Sequence, residues 1–104
     1  MVNRGEVWWV ERPELARRPY LILTRGPAIP VLNALIAIPA TRTIRGLPTE
    51  VLLDRDDGMP DAGALTLDNI ATIPKELFVE RICQLSGDRM REVCRALGTA
   101  TACT

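Results

Sequence analysis

Residues 18–41 read RPYLILTRGPAIPVLNALIAIPAT, and they contain the two apolar runs on which the fold depends. The first run, Tyr20–Thr24, lies between a proline and a glycine-proline pair, and the second, Asn33–Ile38, ends at Pro39. Short apolar runs of this kind, bounded by proline and glycine, are typical of β-strands rather than of helices. We therefore predict two neighbouring strands, the first entered from Arg18 through a proline that restricts the backbone.

Four further strand candidates flank this pair. They are Glu6–Glu11, Thr49–Leu53, Ala64–Ile73 and Phe78–Leu85. The third alternates in polarity, so it is predicted either as one long strand or as two strands with a bend at Asp68-Asn69. The acidic segment 54–63 (DRDDGMPDAG) is predicted as a loop. Its start is similar to a calcium loop, but the glycine falls one place early and no glutamate follows at the twelfth position, so we interpret it as a surface turn.

Only Gly87–Leu97 has the spacing of an amphipathic helix. Its apolar stripe consists of Met90, Val93, Cys94 and Leu97. Ser86 is predicted as the N-cap and Gly98 as the stop, and residues 99–104 carry no anchoring pattern. Because helices do not alternate with the strands, a parallel α/β fold is disfavoured. The sequence predicts a single, mainly β domain over residues 1–104, a small antiparallel barrel or sheet with one C-terminal helix packed on it.

Composition narrows the chemistry that this domain can perform. Of the 104 residues, 47% are hydrophobic and none is histidine, which excludes a histidine base and histidine metal ligands. The three cysteines lack C-x-x-C spacing, so we expect reduced thiols in a cytoplasmic protein rather than a disulfide or a zinc site. Neither a signal peptide nor a membrane span is expected. Residues 1–50 carry seven arginines against four glutamates, so one face could be basic and attract phosphate although the whole chain is neutral.

The side chains that could perform chemistry are arginines and hydroxyls at strand ends. Arg17-Arg18 precedes the first apolar run, and the segment 41–45 (TRTIR) follows the second. An arginine beside a threonine hydroxyl at neighbouring strand ends could bind a phosphate, although these residues also suit ordinary loop positions. Cys83 lies in an apolar run with no histidine to activate it, so a cysteine nucleophile is disfavoured.

Four segments, in this order, resemble motifs of the MazF (PemK/Kid) family of toxin endoribonucleases. They are Arg4–Val10 (RGEVWWV), Arg18-Pro19 before YLIL, Ile38–Thr41 (IPAT) with Gly46–Val51 (GLPTEV), and Leu67–Ile70 (LDNI) with Thr72-Ile73. They are similar to the family's R-G-[DE] strand, its R-P strand, its P-x-T and P-x-E-V segment, and its D-Q-[IV]-x-[ST]-I segment. In the last of these, Asn69 stands where glutamine is common. The resemblance covers about residues 3–98.

The resemblance implies a small SH3-like barrel with a C-terminal helix, of the type shared by MazF, Kid and CcdB, paired as a homodimer. It implies the toxin of a type II toxin–antitoxin system, which cleaves single-stranded RNA at short sequence motifs without a metal or other cofactor. In that reaction the 2′-hydroxyl attacks the neighbouring phosphorus and leaves a 2′,3′-cyclic phosphate and a 5′-hydroxyl. The implied partner is a cognate antitoxin that lays an extended or helical segment over the RNA groove.

By the same resemblance, Arg18 and Thr41 match the family's catalytic arginine and threonine. Arg18 suits stabilisation of phosphorane charge, or the role of acid, better than that of base, because a guanidinium is already protonated and cannot accept a further proton. Without histidine a carboxylate is the natural base, and Glu14 lies near the position where some members carry a glutamate. The candidates for RNA binding are Thr24, Arg25 and Asn69.

Two functions from other classes remain open at this point. A gyrase-binding toxin like CcdB shares the implied fold, but such toxins act through the end of the C-terminal helix, which is small and featureless here. A non-catalytic SH3-like binding module would need an aromatic-lined groove, and only four aromatic residues are present. Of these, we expect Trp9 in the core rather than as a platform for base stacking, with Trp8 on the opposite face of its strand.

Overall fold

A computed structural model describes residues 1–103 as seven strands followed by one α-helix. The strands are β1 (Glu6–Val10), β2 (Arg18–Ile22), β3 (Ala34–Thr41), β4 (Glu50–Leu53), β5 (Gly63–Thr66), β6 (Ala71–Pro74) and β7 (Phe78–Gln84), and the helix is α1 (Gly87–Thr101). All strand pairs are antiparallel, in the order β4-β5-β3-β2-β1-β7, and β6 pairs with β3 beside this path. The predicted mainly β fold with a C-terminal helix is confirmed.

Strand β3 organises the sheet, and it continues past the proline at which we predicted its end. One edge pairs with β2 over Ala37–Pro39, while the other pairs first with β6, over Ala34–Ala37, and then with β5, at Ala40 and Thr41. Pro39 lies where this second edge changes partner. Proline has no N–H to donate to a ladder, so it is tolerated at such an interruption, and its carbonyl accepts a hydrogen bond from the Thr66 hydroxyl at 3.2 Å.

The curved sheet buries apolar side chains on both faces. The larger core draws on six strands and α1, and its fully buried members include Val7, Leu21, Ile38, Leu65 and Val93. The smaller core lies on the opposite face and is covered by the 3-10 turn after β2; it contains Val10, Tyr20, Ile22, Ile29, Leu35, Ala37, Ile73 and Phe78. Because a side chain in a strand faces alternate sides of the sheet, β2 contributes successive residues to the two cores.

Two local predictions need correction. The helix does not stop at Gly98 but runs to Thr101 and ends at Ala102, a left-handed residue with φ 56°. Ala96 is buried and Ala100 packs against the larger core, so tertiary contacts carry the helix through the glycine. Cys94, predicted on the apolar stripe, is exposed.

Three other local predictions hold. The predicted segment Ala64–Ile73 falls in two strands, β5 and β6, separated by a 3-10 turn at Leu67–Asn69, which is the second of the two alternatives. Ser86 caps the helix by accepting a hydrogen bond from the N–H of Arg89, as predicted. Residues Arg55–Asp57 form a surface 3-10 turn capped by Asp54, and Asp57 binds Arg89 of α1 at 2.9 Å. Within residues 1–103 no helix is long and apolar enough to cross a membrane.

Candidate active site

The strand register sets Arg18 opposite Thr41. Strands β2 and β3 pair Ile22 with Ala37 and Tyr20 with Pro39, and the same register continued by two residues reaches Arg18 and Thr41. Directly opposed residues of an antiparallel pair have Cβ atoms about 4.5–5.5 Å apart and share a face of the sheet. The guanidinium and the hydroxyl that the resemblance pairs functionally are therefore neighbours in the fold.

Both side chains line one open groove of about 210 Å³, called here the Arg18–Thr41 groove. One wall comes from β1 and β2, and the opposite wall comes from the end of β3 and the loop that leads into β5. Its lining residues are Trp9, Arg17, Arg18, Pro19, Ala40, Thr41, Arg42, Met59, Pro60, Asp61, Ala62 and Gly63. Three arginines against one aspartate make the groove basic, and a basic groove attracts phosphate.

The other two arginines of the groove have partners. The Arg17 guanidinium lies 5.0 Å from the ring centroid of Trp9 and 2.8 Å from the Glu80 carboxylate. On the wall formed by the end of β3 and the loop into β5, Arg42 Nη2 lies 3.0 Å from Asp61 Oδ2. Arg18 has no acidic partner among the ion pairs of residues 1–103, so its charge remains available to a phosphate.

Thr41 is held by its main chain rather than by its hydroxyl. Its Oγ1 accepts one hydrogen bond, from the N–H of Thr43 at 3.2 Å, and its proton stays free to donate to a substrate. Gly63 packs against the Thr41 peptide so closely that a Cβ at Gly63 would lie 2.4 Å from the Thr41 carbonyl oxygen. Only glycine allows β5 to approach the end of β3 in this way.

Glu14, the predicted base, lies outside the groove. It is exposed in the loop between β1 and β2, where it adopts a left-handed conformation with φ 65°. The carboxylate that does line the groove is that of Asp61. Sequence reasoning missed Asp61 because the acidic loop 54–63 gives no local sign of which of its four aspartates faces the sheet.

The three RNA-binding candidates are not among the groove residues. Thr24 is 2% exposed, and its hydroxyl accepts the N–H of Ile36 at 2.7 Å, so this prediction is corrected: Thr24 supports the backbone and offers no surface to RNA. Arg25 is exposed beyond the far end of β2, seven residues from Arg18, or roughly 20 Å in an extended chain. Asn69 is exposed in the 3-10 turn between β5 and β6.

The two tryptophans exchange their expected roles. Trp9 is half-buried and lines the groove, whereas Trp8 packs against the smaller core. Trp8 Nε1 also donates a hydrogen bond to the Glu6 carboxylate at 3.1 Å. A half-exposed indole beside three arginines is available to a nucleobase, because base stacking needs an aromatic face.

Glu6 and Cys83 are buried ionisable groups that serve the fold. Burial alone would raise the pKa of Glu6, but hydrogen bonds from Trp8 and Asn3 and the charge of Arg81 outweigh it, so the pKa lies below its ordinary value. Burial raises the pKa of the Cys83 thiol, which keeps it protonated and unreactive. All three cysteines are free thiols. Residues 1–103 contain no group of three or more histidine, cysteine or acidic side chains that could hold a metal ion.

Comparison with known proteins agrees with this geometry. The family described as PemK-like, MazF-like toxin of type II toxin–antitoxin system matches residues 3–101. The chain is 42% identical over 102 residues to the probable endoribonuclease MazF5 of Mycobacterium tuberculosis, covering 97% of this chain and 94% of that protein. It is 37% identical over 103 residues to the probable endoribonuclease MazF2 of the same species, covering 98% of this chain and 100% of that protein.

Solved structures show the same fold. The M. tuberculosis toxin MazF-mt6 superposes with a TM-score of 0.86 at 31% identity, covering 93% of this chain and 96% of that chain. An endoribonuclease in complex with its cognate antitoxin, from a mycobacterial species, superposes with a TM-score of 0.90, covering 100% of this chain and 98% of that chain. At 24% identity this second likeness shows the shared fold alone.

Proposed function

The chain belongs to the family of PemK-like, MazF-like toxins of type II toxin–antitoxin systems and is an endoribonuclease, and we propose that it cleaves single-stranded RNA in the Arg18–Thr41 groove. The observation that carries the proposal is that Arg18 and Thr41, which lie at the same end of the paired strands β2 and β3, both line one basic groove. Membership of this family sets aside the gyrase-binding and adaptor alternatives.

In the proposed reaction the 2′-hydroxyl of the RNA attacks the adjacent phosphorus, and negative charge grows on the non-bridging oxygens. Arg18 donates two parallel hydrogen bonds, one to each of two non-bridging oxygens, and Thr41 donates a third from the opposite wall. Donors that are already in place when the charge develops lower the barrier, and one such donor is worth about 10²–10³ in rate. The products are a 2′,3′-cyclic phosphate and a 5′-hydroxyl.

No metal or other cofactor takes part in the proposed reaction. The arginines of the groove supply the positive charge that a divalent cation supplies in other nucleases. EDTA should therefore leave the cleavage rate unchanged.

The proposed assembly is a homodimer that a cognate antitoxin inhibits. A two-fold interface uses the same patch on both subunits, so two copies of the groove would serve one RNA strand. Solved relatives with this fold include toxins bound to their antitoxins. We place the activity in the cytoplasm, where single-stranded mRNA is abundant and where three free thiols stay reduced. Exposed Arg25 and Asn69 are proposed contacts for RNA outside the groove.

The proposal is tested by incubating the purified protein with a long RNA in the presence of EDTA and sequencing the 5′-hydroxyl ends. We expect cuts at a short recurring motif in unpaired regions. A matched strand with one deoxyribose 5′ to the scissile phosphate should bind and resist cleavage, since the nucleophile is missing. Cleavage of that strand at the normal rate, or a requirement for magnesium, would contradict the proposed chemistry.

A further inference from the structure

The proposed reaction needs a group that takes the proton of the 2′-hydroxyl, and neither Arg18 nor Thr41 suits that task. A guanidinium stays protonated, and a threonine hydroxyl is a weaker base than a carboxylate. The chain has no histidine. Glu14 is exposed in a loop outside the groove. The base must therefore come from another carboxylate that reaches the substrate.

The geometry points to Asp61 as the general base, an inference that rests on the proposed function. Asp61 is the acidic residue that lines the Arg18–Thr41 groove. Its Oδ2 binds Arg42 at 3.0 Å, while its Oδ1 accepts no hydrogen bond from residues 1–103. One carboxylate oxygen is thus oriented by a cation, and the other has no hydrogen-bond partner among residues 1–103.

The position of Asp61 is difficult to explain by RNA binding alone. A carboxylate in the groove repels the phosphate that Arg17, Arg18 and Arg42 attract, so it weakens affinity for RNA. The pairing with Arg42 neutralises part of this repulsion. With 48% of its side chain exposed, Asp61 is not required to fill the core either. A role in proton transfer accounts for a charge that phosphate binding would otherwise disfavour.

The proposed step is balanced without any further reactant. Asp61 Oδ1 takes the proton of the 2′-hydroxyl as the 2′-oxygen forms a bond to phosphorus and the bond from phosphorus to the 5′-oxygen breaks. The 5′-oxygen takes a proton from water, and the protonated Asp61 neutralises the hydroxide that remains. Arg18 and Thr41 hold the non-bridging oxygens throughout. No proton is gained or lost overall, and Asp61 returns to its ionised form.

The test is Asp61→Asn, which keeps the shape of the side chain and removes its basicity. A general base typically contributes about 10²–10⁴ in rate, so kcat should fall by about that factor. KM should fall rather than rise, because the variant no longer repels the phosphates of the RNA. Asp61→Glu should restore part of the activity. The matched control is Asp56→Asn, which removes the same charge from the same loop at a position outside the groove and should leave kcat within about twofold. Circular dichroism confirms that each variant is folded.

A substrate with sulfur in place of the 5′-bridging oxygen distinguishes a role of Asp61 as general base from a role as general acid. A thiolate leaves without being protonated, so such a substrate needs no general acid. We expect Asp61→Asn to cleave this strand as slowly, relative to the wild type, as it cleaves the normal strand. The inference is overturned if folded Asp61→Asn keeps its kcat, if the sulfur substrate rescues it, or if only its sequence preference changes. Failure of the wild type to cleave any RNA would instead overturn the proposed function.

Discussion

Gly63→Ala tests how tightly the fold fixes Thr41, the proposed catalytic threonine. A Cβ at this position would meet the Thr41 carbonyl oxygen at 2.4 Å, the Thr41 carbonyl carbon at 3.2 Å and the Arg42 Cα at 3.7 Å. Ordinary contact begins at 3.4 Å, so the end of β3 and the start of β5 must separate by about 1 Å. The atom in the way is backbone, which cannot rotate aside as a flexible side chain can.

The separation moves Thr41 relative to Arg18, and a misplacement of this size can cost about 10² in rate. We expect kcat to fall by about that factor, while the affinity for a strand blocked by one deoxyribose changes little, because its phosphates still meet the arginines. Crowding at a buried strand end should also lower the free energy of unfolding by about 1–3 kcal/mol. Urea denaturation measures this loss of stability and shows the urea concentrations at which the variant remains folded.

Two comparisons isolate the effect of position. Gly87→Ala makes the same chemical change at the first turn of α1, where the new Cβ would lie 3.7 Å from a mobile Arg91 Nη1, and it should leave kcat unchanged. In a Thr41→Ala background, Gly63→Ala should add little further loss, since the group it displaces is already gone. A folded Gly63→Ala enzyme with normal kcat would refute this reasoning. So would a Thr41→Ala/Gly63→Ala double variant whose loss of kcat is the product of the two single losses.

Other substitutions test the remaining parts of the site and the fold. Arg18→Ala and Thr41→Ala should each lower kcat by about 10²–10³ in proteins whose circular dichroism is unchanged, and near-normal cleavage by either variant would remove that residue from the site. Glu14→Gln should cleave RNA at the wild-type rate, because Glu14 lies outside the groove; a large loss would restore it as the base. The folded-state pKa of Glu6 is depressed, so its stabilisation is present above the unfolded pKa of about 4.3 and is lost as pH falls through the folded value. Glu6→Gln should therefore lower the urea midpoint at pH 7 and flatten its decline below about pH 5; equal slopes for both proteins would contradict this assignment.

The sequence alone determined the class of fold and indicated the proposed catalytic pair. Short apolar runs bounded by proline and glycine are local features, and they placed every strand to within a few residues. The same two runs also indicate where the site lies, because Arg18 precedes the first run and Thr41 follows the second. Once these runs pair as antiparallel neighbours, the two residues meet at one end of the sheet. The resemblance to a known family added which arginine and which threonine matter.

Local patterns misplaced features that depend on packing. Gly98 was predicted to end the helix, but the helix continues to Thr101. Ala96 and Ala100, on either side of the glycine, pack in the larger core and stabilise the helix across it. Pro39 marks a strand end that does not occur, because β3 exchanges one partner for another at that residue. Thr24 is a polar residue of a type common at the surface, yet its hydroxyl is buried and accepts a hydrogen bond from the Ile36 N–H.

Only the tertiary structure decided which residues complete the groove. Asp61 and Gly63 lie more than forty residues from Arg18 along the chain, in a loop whose sequence indicates nothing beyond a turn. They reach the groove because β5 pairs with the far end of β3, a contact that forms only when distant segments fold together. A strand pattern specifies which faces are apolar but not which strands become neighbours, since pairing depends on the shape and burial of the whole sheet. The identity of the base therefore depends on a long-range pairing, whereas the fold class follows from patterns within single strands.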